Sequence, residues 1–316
     1  MKDNEGRSIS YLRLSVTDKC NCRCIYCMPK DGIPMLCHEQ ILSYEELVRI
    51  VSATAQLGVT KVRLTGGEPL VRRNLVDLVR MIREIDGIQE IDLTTNATLL
   101  APVAQDLKDA GLSRINVSLD TLDAEKYKKI SRVGSLEDAL AGLAAAKAAG
   151  FTGTKINSVL MGGINDDEIR DLCLLCKDEP YSLRFIELMP IGECATWPKE
   201  RFISDEQVLK QVPELSLAAG QDGVSTLYTA EGWKGTVGLI RPMSNRFCKD
   251  CTRIRVTSDG KLKPCLHSST EIPLRGLEGE ELLEAIRQGI LMKPAKHEMD
   301  ETHISESARA MNEIGG

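Results

Sequence analysis

Polar and apolar positions alternate over residues 8–17. Leu12, Leu14 and Val16 fall on one side and Tyr11, Arg13 and Ser15 on the other, which predicts a strand. The period then lengthens. Ser43, Tyr44, Glu45 and Glu46 form a capping box ahead of the stripe Leu47, Ile50, Val51, Thr54 and Leu57, which stops at Gly58 and predicts a helix. A strand over 61–65 follows, then the loop Gly66-Gly67-Glu68-Pro69 and a helix over about 73–85. The same alternation predicts strands over 91–96, 114–120, 154–160 and 183–189. Between them lie a helix from 102 to 111, two helical stretches within 123–149 and a helix over 166–177.

Six strands alternating with helices make right-handed βαβ units around a parallel sheet, and six units fall short of a closed eight-stranded barrel. A partial α/β barrel is expected. Beyond Pro190 the pattern changes to one short helix near 204–211, Gly- and Pro-rich turns and strand-like pieces near 225–228 and 236–240. The expected division is 1–190 for the barrel and 191–316 for a C-terminal segment.

The strand faces carry chemistry. Parallel strands covered on both sides should be nearly all apolar, yet one face here carries Arg13 and Ser15; Lys61, Arg63 and Thr65; Asp92 and Thr94; Asn116, Ser118 and Asp120; Lys155 and Asn157. The opposite face, with Leu12, Leu14, Val62, Leu64, Ile91, Leu93, Ile115, Val117, Leu119 and Ile156, suits packing under helices. A polar concave face implies a solvated lumen for a polar ligand, and its four cations imply an anionic one. A rim charge meeting only water is the plain alternative for any single residue. The whole chain, at 316 residues and 42% apolar, can build a large core, and its net charge of −6 argues against non-specific nucleic-acid binding. The opening Met1–Arg7 carries no apolar signal region and no stretch of about 18 apolar residues exists, so a cytoplasmic protein is expected.

Seven of the eleven cysteines sit in two tight groups, a clustering that favours metal or redox chemistry over disulfides. Cys20, Cys24 and Cys27 read C-x3-C-x2-C directly after the first strand. Three thiolates hold three corners of a 4Fe–4S cube and leave one iron open, whereas structural zinc takes four closed ligands. This is the spacing of enzymes that use S-adenosylmethionine (SAM) as a radical source; a zinc knuckle is the bland alternative. Cys248, Cys251 and Cys265 read C-x2-C-x13-C among Arg246, Arg253 and Arg255. With His267 they form a Cys3His zinc ribbon, or without it a second open cluster flanked by arginines able to grip phosphate. Cys173 and Cys176 lie on the apolar stripe of a helix and belong to the core. Cys22, Cys37 and Cys194 lack ligand spacing, and His38, His297 and His303 are expected at the surface or in the tail. Gly162-Gly163 is a strand-to-helix turn, because no G-K-[ST] follows.

With both cysteine groups, the chain resembles the GTP 3′,8-cyclase (MoaA) family of molybdenum cofactor biosynthesis, a radical SAM family. The likeness runs through Leu12–Asp18, the first cysteine group with Met28-Pro29, Arg63–Leu70, Leu93–Asn96, Arg114–Asp120, Gly163–Asp166, Arg184–Glu187, the second cysteine group and Ile314-Gly315-Gly316. It implies an incomplete (β/α)6 TIM-like barrel closed at one side by a C-terminal segment carrying a second 4Fe–4S cluster. Cys20, Cys24 and Cys27 would hold the SAM cluster, with Tyr26, Gly66, Gly67, Glu68, Ser118 and Met189 toward SAM. Cys248, Cys251 and Cys265 would hold the substrate cluster, with Arg13, Arg63, Thr94, Lys155, Arg253, Ile254 and Arg255 toward GTP.

The implied reaction is a lyase cyclisation: a 5′-deoxyadenosyl radical takes hydrogen from C3′ of GTP, C3′ closes on C8, and reduction gives 3′,8-cyclo-7,8-dihydro-GTP. Its implied partners are a reductant protein as electron donor and the cyclic pyranopterin monophosphate synthase that receives the product, with monomer or homodimer left open and neither nucleic acid nor membrane. Two positions depart from the family: Cys22 replaces a usual aromatic, which invites competition for the cluster, and Ala97 replaces a usual glycine. A peptide-modifying radical SAM maturase and a non-enzymatic iron–sulfur or zinc scaffold are the rivals. The former usually carries more auxiliary cysteines.

Overall fold

The computed structural model describes residues 1–297, 305–307 and 309–315. In chain order the strands are β1 Tyr11–Ser15, β2 Lys61–Thr65, β3 Glu90–Thr95, β4 Arg114–Ser118, β5 Lys155–Leu160 and β6 Ser182–Glu187, and then β7 Ser216–Asp222, β8 Ser225–Thr229, β9 Thr236–Ile240, β10 Arg253–Val256, β11 Lys261–Lys263 and β12 Ile272–Pro273. The helices are α1 Tyr44–Gln56, α2 Leu75–Arg83, α3 Ala104–Asp109, α4 Ala124–Ser131, α5 Leu136–Ala148, α6 Ile169–Asp178, α7 Glu206–Gln211 and α8 Gly279–Leu291.

Strands β1 to β6 pair in parallel, each to the next, with a helix in every crossover. This is the incomplete (β/α)6 barrel. The C-terminal segment extends the sheet at both edges: β10 runs parallel beside β1, and β9 runs parallel beside β6. The full order is β12-β11-β10-β1-β2-β3-β4-β5-β6-β9-β8-β7. The pairs β7–β8, β8–β9, β10–β11 and β11–β12 are antiparallel.

The apolar strand face is the core. Leu12, Leu14, Val62, Leu64, Ile91, Leu93, Ile115, Val117 and Ile156 are fully buried under the helices, each such side chain stabilising the fold by roughly 1.5–3 kcal/mol. Helix α1 starts where Ser43 accepts from the Glu46 amide and Glu46 answers to the Ser43 amide. It buries Leu47, Ile50 and Val51. Cys173 and Cys176 on α6 are buried in that core, as their spacing predicts. Strands β7, β10, β11 and β12 and helix α8 go beyond the sequence reading.

Candidate active site

The register sets one row of charged side chains across the lumen. Arg255, Arg13, Arg63 and Asp92 stand side by side on β10, β1, β2 and β3. Asp92 lies 2.5 Å from Arg63 and 2.8 Å from Lys61. Burial pushes its carboxyl up, but the two cations outweigh burial and hold it below the usual range. Burial, then Arg255, hold Arg13 well below an ordinary guanidinium, and burial, then Arg253, bring Arg255 down to about 10. Cations packed closely enough to shift one another in this way form a site suited to a polyanion.

The three arginines open on a cavity of about 620 Å³. Arg13, Lys61, Arg63, Lys155, Arg184, Arg253, Arg255 and Lys293 line it against Glu68, Asp120, Glu187 and Asp250, so the lumen is locally basic in an acidic chain. Tyr11 lies among the cations, 5.3 Å from Lys61, 5.6 Å from Arg63 and 5.7 Å from Arg253. Asn116 Oδ1, Asn157 Oδ1 and Arg63 Nε are buried with no hydrogen-bond partner among the described residues. Buried polar atoms are normally satisfied, so these are aimed at something that binds there.

Chain direction puts the two cysteine groups at opposite ends. Cys20–Cys27 directly follow β1, and Cys248 and Cys251 directly precede β10, which is parallel to β1. A strand of this length separates its ends by roughly 15 Å. All six cysteines line the cavity. Burial, then its neighbour thiol Cys20, push Cys27 up to about 12, and burial, then Cys27, push Cys24 well above its ordinary value. Such thiols ionise only against a strong positive charge, which iron supplies. Among the described residues no three His, Cys, Asp or Glu side chains converge where a single ion would sit. Each loop offers three thiolates to the cavity, the number of protein-held corners in a cube with one open iron. His267 lines the cavity as a neutral ring, its pKa brought down to about 3 by burial and then by His297, 4.6 Å away.

Backbone docking fixes the first loop. The amides of Gly67 and Glu68 donate to the Thr17 and Lys19 carbonyls, each at 2.8 Å. A Cβ on Gly66 or Gly67 would stand 2.3 Å from the Thr17 or Lys19 oxygen, so only glycine allows this approach. Glu68 is held by the Leu70 and Asn96 amides and the Thr95 hydroxyl, and burial lifts its carboxyl to about 7. Tyr26 donates to Asp120 at 2.8 Å, and burial lifts Asp120 to about 6. At the other end Arg7, paired to Asp3, donates to the carbonyls of Cys248, Lys293, Pro294 and Ala295. Lys293 donates to the carbonyls of Arg253 and Pro264.

The tail enters the lumen. Asn312, Ile314 and Gly315 are buried, Asn312 donates to the Asp18 carbonyl at 3.1 Å, and the Gly315 carbonyl accepts from Arg13 at 3.2 Å and Arg255 at 2.8 Å. Gly315 has φ +69, and a Cβ there would lie 2.5 Å from Thr65. Gly316 and His303 lie outside the described residues.

Of the site residues named from sequence, all but Ile254 line this cavity. Ile254 is fully buried in the core on the other face of β10. His297, expected at the surface or in the tail, is buried and lines the cavity, because the segment after α8 folds back toward Cys248. His38 is exposed as expected. Sequence reading missed Arg184, Lys293 and Arg7; the cation at alternate position 184 of a strand otherwise read as apolar was the available signal. Cys22 is buried beside Asn96, and Cys20, then burial, hold its thiol far above the ordinary range. Ala97 adopts φ +63, a conformation glycine reaches more cheaply.

Residues 14–176 match the radical SAM superfamily, and residues 181–299 match Molybdenum Cofactor Synthesis C. The chain is 48% identical over 320 residues to a GTP 3′,8-cyclase of Alkaliphilus metalliredigens and 44% identical over 327 residues to one of Thermodesulfovibrio yellowstonii, covering all of each. Its fold is similar to the crystal structure of Streptococcus suis SuiB, with TM-score 0.63 at 17% identity over 97% of this chain and 77% of that one.

Proposed function

The chain belongs to the GTP 3′,8-cyclase family of radical SAM lyases, and from that premise we propose how its residues divide the conversion of GTP to 3′,8-cyclo-7,8-dihydro-GTP, an early step of molybdenum cofactor biosynthesis. SAM on a reduced 4Fe–4S cluster supplies a 5′-deoxyadenosyl radical, which takes hydrogen from C3′ of GTP so that C3′ closes on C8 of the guanine. Cys20, Cys24 and Cys27 hold that cluster. Tyr26, Gly66, Gly67, Glu68, Ser118 and Met189 surround SAM, with the Glu68 carboxylate toward its ammonium. Cys248, Cys251 and Cys265 would hold a second 4Fe–4S cluster, which would supply a Lewis-acidic binding point for the guanine. Arg13, Arg63, Lys155, Arg253 and Arg255 bind the triphosphate and ribose with Thr94, and Ile254 sets the spacing of its two neighbouring arginines.

The observation that carries this reading is the pair of three-thiolate groups at opposite ends of one cation-lined cavity. Residues 1–190 then hold the radical source and share in binding GTP, and 191–316 hold the second cluster and the remaining GTP contacts. Fixing both reactants in one lumen removes the orientational cost of the encounter, and the Gly315 tail fills space that water would otherwise occupy. A reductant protein supplies electrons, the product passes to the cyclic pyranopterin monophosphate synthase, and the reaction belongs in the cytoplasm; among the described residues no helix is long and apolar enough to cross a membrane.

Anaerobic protein incubated with GTP, SAM and dithionite should consume GTP and contain iron and sulfide for two clusters. Intact GTP after SAM cleavage, or one zinc in place of the second cluster, would overturn the assignment.

A further inference from the structure

Outside the lumen, a shallow groove of about 510 Å³ lies against the outer side of the first cysteine loop. Arg23 and Lys30 contribute from that loop, Glu125, Lys128 and Lys129 from α4, and Arg132 and Val133 from just beyond it. Five cations thus face one carboxylate on a chain of net charge −6. Lys30, Lys128 and Lys129 are exposed, and Val133, 66% exposed, is an apolar spot among them. The favourable end of the α4 dipole accounts for Lys128 and Lys129 alone. The other cations come from different segments and are brought there by specific bonds.

Those bonds tie the groove to the cysteines. Arg132 donates to the carbonyls of Arg23 at 3.2 Å and Met28 at 2.9 Å. The amides of Arg23 and Ile25 donate to Ser131 and Ile130 at the end of α4. The Arg23 guanidinium donates to the carbonyls of Cys20 at 2.6 Å and Cys22 at 2.9 Å. Groove and lumen therefore share one wall, the loop that carries Cys20, Cys24 and Cys27.

We propose that this groove docks an acidic one-electron carrier protein, an inference that rests on the function proposed above. Each turnover consumes two electrons. One cleaves SAM to methionine and the 5′-deoxyadenosyl radical, which becomes 5′-deoxyadenosine on taking hydrogen from C3′. The other, with one proton, reduces the cyclised radical to the dihydro product. The carrier, a reduced flavin or iron–sulfur protein, loses one electron at each visit to the first cluster. Transient redox partners meet through small, electrostatically steered interfaces, which suits a compact cationic patch with one apolar contact. A nucleic acid would also be drawn to the charge, but nothing in its chemistry requires the cysteine loop.

The test uses holoenzyme, bacterial flavodoxin as the acidic probe, and the double variant Lys128→Glu/Lys129→Glu, whose side chains make none of the loop-holding bonds. Fluorescence anisotropy with labelled flavodoxin should show binding that weakens steeply with salt and is about tenfold weaker in the variant. Flavodoxin-driven turnover of GTP should fall in parallel, with dithionite-driven turnover unchanged. Lys30→Glu, on the opposite wall, should repeat the pattern and serves if the double variant folds poorly. Unchanged flavodoxin affinity, an equal fall with both reductants, or loss of affinity for a single-stranded RNA oligonucleotide alone would each overturn the proposal. Failure of unmodified protein to consume GTP with dithionite would count against the cyclase reading instead, because the anisotropy titration reads the groove independently.

Discussion

Arg253 sits with its guanidinium 5.7 Å from the Tyr11 ring and 5.6 Å from the Phe247 ring, at the end of the lumen beside Cys251. Replacing it by alanine removes a charge-assisted contact worth roughly 1.5–3 kcal/mol. Arg253→Ala should therefore weaken GTP binding about 10- to 100-fold in equilibrium titration, while SAM binding at the other end holds; unchanged GTP affinity would contradict its role. Glu68 gives a pH signature. Its carboxyl rises to about 7 from an ordinary 4.5, so the folded chain keeps a proton that the unfolded chain releases. Stability from this group is complete below the lower value and is lost as pH rises toward 7, by at most about 3 kcal/mol. Urea unfolding of SAM-free protein should show this fall between pH 5 and 7. Glu68→Gln should keep only the smaller part due to Asp120, and an undiminished slope would remove Glu68 from the account.

At the scale of elements, the glycine loop after β2 and the cysteine loop after β1 form one unit through main-chain bonds. Gly67→Ala would drive a methyl into the Lys19 carbonyl, a backbone contact with little room to yield. We expect a loss of about 2 kcal/mol or more and reduced iron at the first cluster, read by thermal unfolding and iron analysis. A variant with full iron and stability would contradict this docking. The βα units were legible because most strands alternate with a period of two and several helices carry a clear cap, as at Ser43, Asp123 and Ser135. The edge strands were not. β10 is only four residues long, and Arg253-Ile254-Arg255 alternates in a stretch dominated by turns and cysteines, so its place beside β1 follows from tertiary pairing. Ala97 shows the same limit: its φ of +63 is imposed by the turn after β3, where its buried methyl offsets part of the strain.

At the scale of the molecule, the polar strand face was readable as a lumen, since ten of the twelve residues assigned to it line the cavity. Ser15 and Asp92 are the exceptions, and Asp92 is buried as the counter-charge to Arg63 and Lys61. The positions of the two cysteine groups were not readable from spacing. They follow from β10 running parallel to β1, which turns two loops distant in sequence into the two ends of one chamber. The central claim is that radical source and GTP ribose meet inside that chamber. GTP carrying deuterium at C3′ tests it most directly, with mass spectrometry of the 5′-deoxyadenosine formed anaerobically. Deuterium in 5′-deoxyadenosine, together with the cyclised product, is the predicted result. Unlabelled 5′-deoxyadenosine beside intact GTP would contradict it.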